Sequence, residues 1–285
     1  MDQIDISGEA VVGQTLNGSS VGTSEGWKAT PVLRPRSCQS IVSAEDSHSN
    51  RIRKSAHSRT AGLHRDSAVQ VTEPKSFTAA FLVVDVRGWS KIVHDLGPDP
   101  RLAGQVIQRF WDSSVPVIGE SGGQVYAWRG DGLLAAYQGE NRLERALKAA
   151  DCLLAVVREE LAPGFQAQLR AANAKTTHFA VSVAITDGEA VAVPVRFGPQ
   201  HSEELTGDWV NAAFRMVKWA MAGTVGTTWE ISRWLEKNSP ASLRAFTWSE
   251  PEEVLLAGAV RRVLRGMPAA AGSGRPGSDP RSPGD

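Results

Sequence analysis

The run Phe77–Val86, FTAAFLVVDV, restricts the fold more than any other part of the chain. An apolar, β-branched stretch of this length suits a strand covered on both faces. It falls well short of the ~20 residues that span a bilayer. Near its end stands Asp85. A carboxylate there costs free energy unless it reaches solvent, a partner or a metal ion. The strand therefore needs neighbours on both sides and something polar beyond its C-terminal end.

The following residues predict those neighbours. Within Pro98–Gly119, the positions Leu102, Val106, Phe110, Trp111, Val115 and Ile118 recur at helical spacing. Gly122-Gly123 breaks the chain before a strand over Gln124–Trp128, and Gly130-Asp131-Gly132 makes a tight hairpin turn into Leu133–Tyr137. Asn141 with Glu144 reads as a capping box for a helix whose face carries Leu143, Leu147, Ala150, Leu154 and Val157. A strand over Thr177–Thr186 alternates Phe179, Val181, Val183 and Ile185. That β-α-β-β-α-β order predicts an α+β fold with a ferredoxin-like core, an antiparallel sheet backed by helices. A helix from about Asp208, a short one near Ser232–Lys237 and strands around Ala245–Val263 complete a domain over residues 76–266.

Residues 1–75 are rich in Ser, Gly, Thr and Arg without sustained periodicity, and residues 267–285 are rich in Gly, Pro and Ser; both are expected to be disordered tails. Lys+Arg and Asp+Glu each number 31, and this zero net charge lacks the basic excess of a nucleic-acid binder. No apolar run predicts membrane insertion, and the N-terminus lacks the order of a signal peptide. Cys38 and Cys152 have neither metal-ligand spacing nor disulfide-scaffold density. Together these predict a cytoplasmic protein.

Two further features carry chemistry. In a β-α-β-β unit the first strand and the hairpin are neighbours, so Asp85 and Asp131 can converge. Two carboxylates without Cys or His nearby suit Mg²⁺ or Mn²⁺. Each also has an ordinary explanation, Asp131 as a turn residue and Asp85 as a cap on the following loop. Asn211 and Arg215, four apart, share a helical face after Gly207. An amide and a guanidinium can orient a ribose and neutralise a transferring phosphoryl group, although such pairs are common on helix surfaces.

In combination these segments resemble class III adenylyl and guanylyl cyclases. Phe81–Ser90 (FLVVDVRGWS) is similar to their first metal-binding strand, and Gly123–Tyr137 (GQVYAWRGDGLLAAY) to their second metal hairpin. Val183–Glu189 (VAITDGE) resembles their central strand and its turn, and Gly207–Arg215 (GDWVNAAFR) their transition-state helix. The resemblance implies two divalent ions, Mg or Mn, on Asp85 and Asp131, with the Val86 carbonyl as a further ligand. It implies that Asn211 orients the ribose and Arg215 stabilises charge at the α-phosphate of a nucleoside triphosphate. It also implies a homodimer with composite sites, aspartates from one subunit and the Asn/Arg pair from the other.

The chain departs from that family where the base and triphosphate are read. Ala127 stands where a Lys or Glu reads a purine, and Glu204 where an Asp or Cys does. Losing a charged donor forfeits ~1.5–3 kcal/mol against a base acceptor. A triphosphate lysine is replaced by Ala257-Gly258, leaving Arg129, Arg261 or Arg262 as substitutes. With both metal aspartates and the Asn/Arg pair present, the chain is similar to the small pyrimidine cyclases of the antiphage Pycsar system. That resemblance implies UTP, then CTP, as substrate, and a separate effector that responds to the cyclic nucleotide. The alternatives are a conventional adenylyl or guanylyl cyclase and a catalytically silent cyclase-like signalling dimer. A diguanylate cyclase would need a GG[DE]EF-type hairpin, which Gly130-Asp-Gly-Leu-Leu is not.

Overall fold

In the computed structural model, which describes residues 73–97, 99–171, 178–197 and 200–269, the apolar run becomes β1 (Lys75–Val86). It pairs antiparallel with β3 (Gly132–Tyr137) on one side and with β4 (Val181–Phe197) on the other. Ala79 to Val84 are at most 1% exposed. Burial on two faces explains why the run shows no polar alternation.

The sheet order is β2-β3-β1-β4-β6-β9-β7, with β2 at Gln124–Arg129, β6 at Val225–Thr228, β7 at Phe246–Trp248 and β9 at Ala259–Pro268. Off this path, β5 (Gln200–Thr206) pairs with β4, and β8 (Glu252–Leu256) with β9. The β2-β3-β1-β4 portion is the ferredoxin-like arrangement, with every neighbour antiparallel. The fold is α+β, but the whole sheet is mixed, because β4 and β6 run parallel. The long connection through β5 and α5 (Asp208–Trp219) returns the chain before β6 begins, as parallel pairing requires.

The two faces of β1 are covered differently. Leu82 and Val84 join Phe110 and Ile118 of α2 (Pro100–Glu120), Leu147 and Leu153 of α3 (Arg142–Val156) and Leu169 of α4 (Ala162–Ala171). Phe81 and Val83 instead meet Val210, Ala213, Met216 and Val217 of α5. By the same alternation, Asp85 belongs to the α5 face. The remaining helices are α1 (Trp89–Asp95), α6 (Trp229–Asn238) and α7 (Pro240–Leu243).

Several expectations are corrected. The capping box at Asn141 and Glu144 does not form: Asn141 is left-handed (φ 56°) with no side-chain cap bond. Glu144 pairs instead with Lys148 one turn on, at 2.7 Å. The strand expected to end at Thr186 continues to Phe197, because Thr186 to Ala192 find ladder partners in β1. Glu204 consequently lies in a strand, β5, opposite Val193. A π-helical turn, Val157–Leu161, joins α3 to α4. Thr177, and the expected tails apart from residues 73–75 and 267–269, lie outside the described residues. Cys152 is buried in α3 and is not a free thiol. Among the described residues, no helix is long and apolar enough to cross a membrane.

Candidate active site

The β2–β3 turn is fastened to the end of β1. The Val86 N–H donates to the Asp131 carbonyl at 3.2 Å, and Asp85 is the register partner of Gly132. Gly130 takes a left-handed φ of 62° to close the turn. Both aspartates are partly buried. Burial, then the Asp131 charge, pushes the Asp85 carboxyl above its ordinary range, while Arg87 and Lys218 pull it back. Burial likewise pushes Asp131 up, against its own backbone N–H and Lys218.

Two like charges held together out of bulk water suit a divalent cation. Among the described residues no group of three or more His, Cys, Asp or Glu side chains could hold a metal. The protein's share here is thus two carboxylates, which fits Mg²⁺: it keeps several waters and takes substrate phosphate oxygens at its remaining positions. The residues present fit the implied ions.

Helix α5 carries the other candidate residues and is tied to β4 at both ends. At its start, Thr186 Oγ1 donates to the Trp209 carbonyl at 2.8 Å, and the Trp209 ring lies over Gly188 so closely that a Cβ there would fall 2.0 Å from Cδ1. At its end, Ser182 Oγ donates to the carbonyls of Ala220 and Met221, each at 3.2 Å. Asn211 and Arg215 are exposed. Together with Asp208, Phe214, Lys218 and Ala257 they line an open groove of ≈ 630 Å³. The expected sharing of one helical face by Asn211 and Arg215 is present. Within one chain, the cations acting on Asp85 are Arg87 and Lys218, and Arg215 is not among them. Sequence reasoning did not single out Lys218, although its spacing of three from Arg215 was a readable signal.

The positions that would read the base lie on β2 and β5, which pair with β3 and β4 respectively. Ala127 is half-buried in β2 and packs on the α5-side cluster with Tyr126 and Phe77. Glu204 is exposed in β5, and its neighbour Glu203 acts on Tyr126, which burial foremost pushes above its ordinary range. Arg129 ends β2 opposite Gly132, and its side chain lies outside the described residues. Arg261 and Arg262, the expected substitutes for the triphosphate lysine, both lie over tryptophan rings. The Arg261 guanidinium stacks on Trp209 at 3.8 Å and that of Arg262 on Trp229 at 4.7 Å. Ala257, left-handed at φ 51°, forms the β8–β9 turn at the rim of the groove. His178 precedes β4 and His201 falls in β5.

No family model and no curated protein matches the chain. Solved structures do. The guanylyl cyclase Cya2 superposes with a TM-score of 0.54 at 16% identity, over 71% of this chain and 98% of that one. The adenylyl cyclase CyaB from P. aeruginosa gives 0.52 at 13% identity, over 70% and 98%. The guanylate cyclase domain of RhGC from Catenaria anguillulae, in complex with GTP, gives 0.55 at 14% identity, over 68% and 98%. The chain has the fold of the class III nucleotide cyclase catalytic domain.

Proposed function

We propose that the chain is a metal-dependent nucleotide cyclase, converting a nucleoside triphosphate into a 3′,5′-cyclic monophosphate and pyrophosphate. The observation that carries this reading is the meeting of Asp85 and Asp131 at the end of β1. These carboxylates, with the Val86 carbonyl, would hold two Mg or Mn ions. When bound, such ions make the ribose 3′-hydroxyl more acidic and neutralise the triphosphate. The Asn211 amide orients the ribose for in-line attack on the α-phosphorus. The Arg215 guanidinium pairs with the α-phosphate oxygens as charge grows there. By the family resemblance, in which the aspartates and the Asn/Arg pair come from different subunits, the site is read as composite, two per homodimer.

The base pocket supports a pyrimidine. Ala127 offers no side-chain hydrogen bond to a purine edge, and Glu204 of β5 provides an acceptor. UTP comes first, then CTP, by resemblance alone. The product would act in the cytoplasm on a separate effector in antiphage signalling. A conventional adenylyl or guanylyl cyclase is the alternative enzyme. The stacking of Arg261 and Arg262 favours a second reading, a silent cyclase-like dimer, because it withdraws two cations from the triphosphate.

The test is incubation of purified protein with ATP, GTP, CTP and UTP in Mn²⁺, with products separated by mass spectrometry. One cyclic pyrimidine nucleotide, lost in Asp131→Ala, is the expected result. Cyclic AMP or cyclic GMP would keep the enzyme and overturn the base assignment. No product from a confirmed dimer would favour the silent reading.

A further inference from the structure

The α5 groove contains a cation, Lys218, besides Arg215. Asp208, Asn211, Arg215 and Lys218 follow one another at intervals of three and four and line the same groove. Lys218 sits in the last turn of α5, where the chain is anchored beside the metal aspartates. Ser182, whose hydroxyl holds the carbonyls of Ala220 and Met221, is the β4 register partner of Asp85. The Gly223 N–H donates to the Val181 carbonyl at 2.7 Å, closing the same corner. Arg87 Nη1 approaches the Lys218 carbonyl at 3.5 Å, so that guanidinium leans on the helix backbone.

Lys218 is therefore presented to the end of β1 by a helix that cannot readily shift. Its side chain is exposed, and among the described residues it forms no ion pair within 4.0 Å. Yet its charge reaches both Asp85 and Asp131. With no ion pair to either carboxylate, the ammonium is placed to meet an anion held at them, such as a metal-bound phosphate oxygen. Other cations near the groove have ring partners: Arg261 and Arg262 stack on tryptophans, and Arg265 stacks on Trp219 while pairing with Glu252 at 2.9 Å. Across the groove stands Ala257, without charge.

We propose that Lys218 is the triphosphate-binding cation of its own subunit's metal half-site, its ammonium holding the terminal phosphates and then the departing pyrophosphate. This rests on the cyclase reading and deepens it. It also explains how the site operates with alanine in the β8–β9 turn. No bond is made or broken at Lys218.

The experiment measures binding of the Mn²⁺ complex of inorganic tripolyphosphate to the full chain by calorimetry. It compares wild type, Lys218→Met, Lys218→Gln and Lys218→Arg, with Lys148→Met as a distant control. The expected result is a loss of about tenfold or more in the Met and Gln variants, substantial retention in Arg, and no change in the control. With a turned-over nucleotide, KM should rise more than kcat falls. Unchanged tripolyphosphate affinity in both neutral variants would overturn the proposal. So would tighter binding of Mn²⁺ alone with phosphate affinity unaltered, the signature of a mere counter-ion to the aspartates. Should wild type form no cyclic nucleotide, the cyclase reading fails while the binding comparison still decides the role of Lys218.

Discussion

The Val86 N–H donates to the Asp131 carbonyl at 3.2 Å, so the end of the central strand and the neighbouring hairpin turn are one mechanical unit. Asp85 and Asp131 are held together by backbone geometry before any ligand arrives. Their mutual repulsion and burial are costs that the fold carries. Such a cost is tolerated where a cation offsets it.

From this follows a pH prediction. Burial raises the Asp85 and Asp131 carboxyls above the ordinary value of 3.8. Groups raised in the folded state contribute stability below that ordinary value, and lose it as pH rises through the raised value. Metal-free Asp85→Asn should therefore melt above wild type, by a margin that grows as pH rises above the ordinary carboxyl value and levels off once the raised carboxyl is ionised. Mn²⁺ should stabilise wild type and leave Asp85→Asn nearly unmoved. Thermal melts across pH, with and without Mn²⁺, check both statements. A margin independent of pH would sink the idea.

Gly188 should tolerate no side chain. A Cβ would lie 2.0 Å from Trp209 Cδ1, and the Arg261 guanidinium also packs on that ring at 3.8 Å. Gly188→Ala should displace the start of α5 and cost ~1–3 kcal/mol of stability. Denaturant unfolding measures the cost, and any cyclase activity should fall with it because Asn211 begins one turn further on.

A composite site predicts complementation. Asp131→Ala and Arg215→Ala should each be inactive alone. Mixed after subunit exchange, they should recover about a quarter of wild-type activity, since half of the dimers then carry one intact site. No recovery despite demonstrated exchange would place all four residues in one chain's site.

Ala127→Lys returns a charged donor to the β2 position that reads adenine in the resembled family. Ala127 is half-buried at the edge of its cluster, so a lysine stem can lie along the sheet with its ammonium in solvent. The ratio of cyclic AMP to cyclic pyrimidine nucleotide should rise, by about tenfold if the new bond forms as expected. A ratio that stays put would mean that the base does not lie against β2.

Much of the fold was legible because it is written in local patterns. The unbroken apolar character of Phe77–Val86 required pairing on both sides, and β3 and β4 provide it. The Gly130–Gly132 turn and the α2 periodicity announced themselves through backbone chemistry that short segments decide alone. The parts that escaped are those whose stability is borrowed. β5 is polar, QHSEELT, and exists by pairing with an unusually long β4. The capping box failed because a left-handed backbone at Asn141 outranked its side chain.

The site divides the same way. Asp85, Asp131, Asn211 and Arg215 were readable as residue types at suggestive spacings. Lys218, Arg261 and Arg262 were not assignable, because a cation's role depends on what lies beside it in space. Sequence alone determined the central strand, the carboxylate near its end and the stripe along one helix, since each follows from neighbours within a few positions. Only the tertiary structure decided which arginines are spent on tryptophan faces and which lysine is left facing the aspartates. Electrostatic interactions act across distances that the order of residues along the chain does not encode.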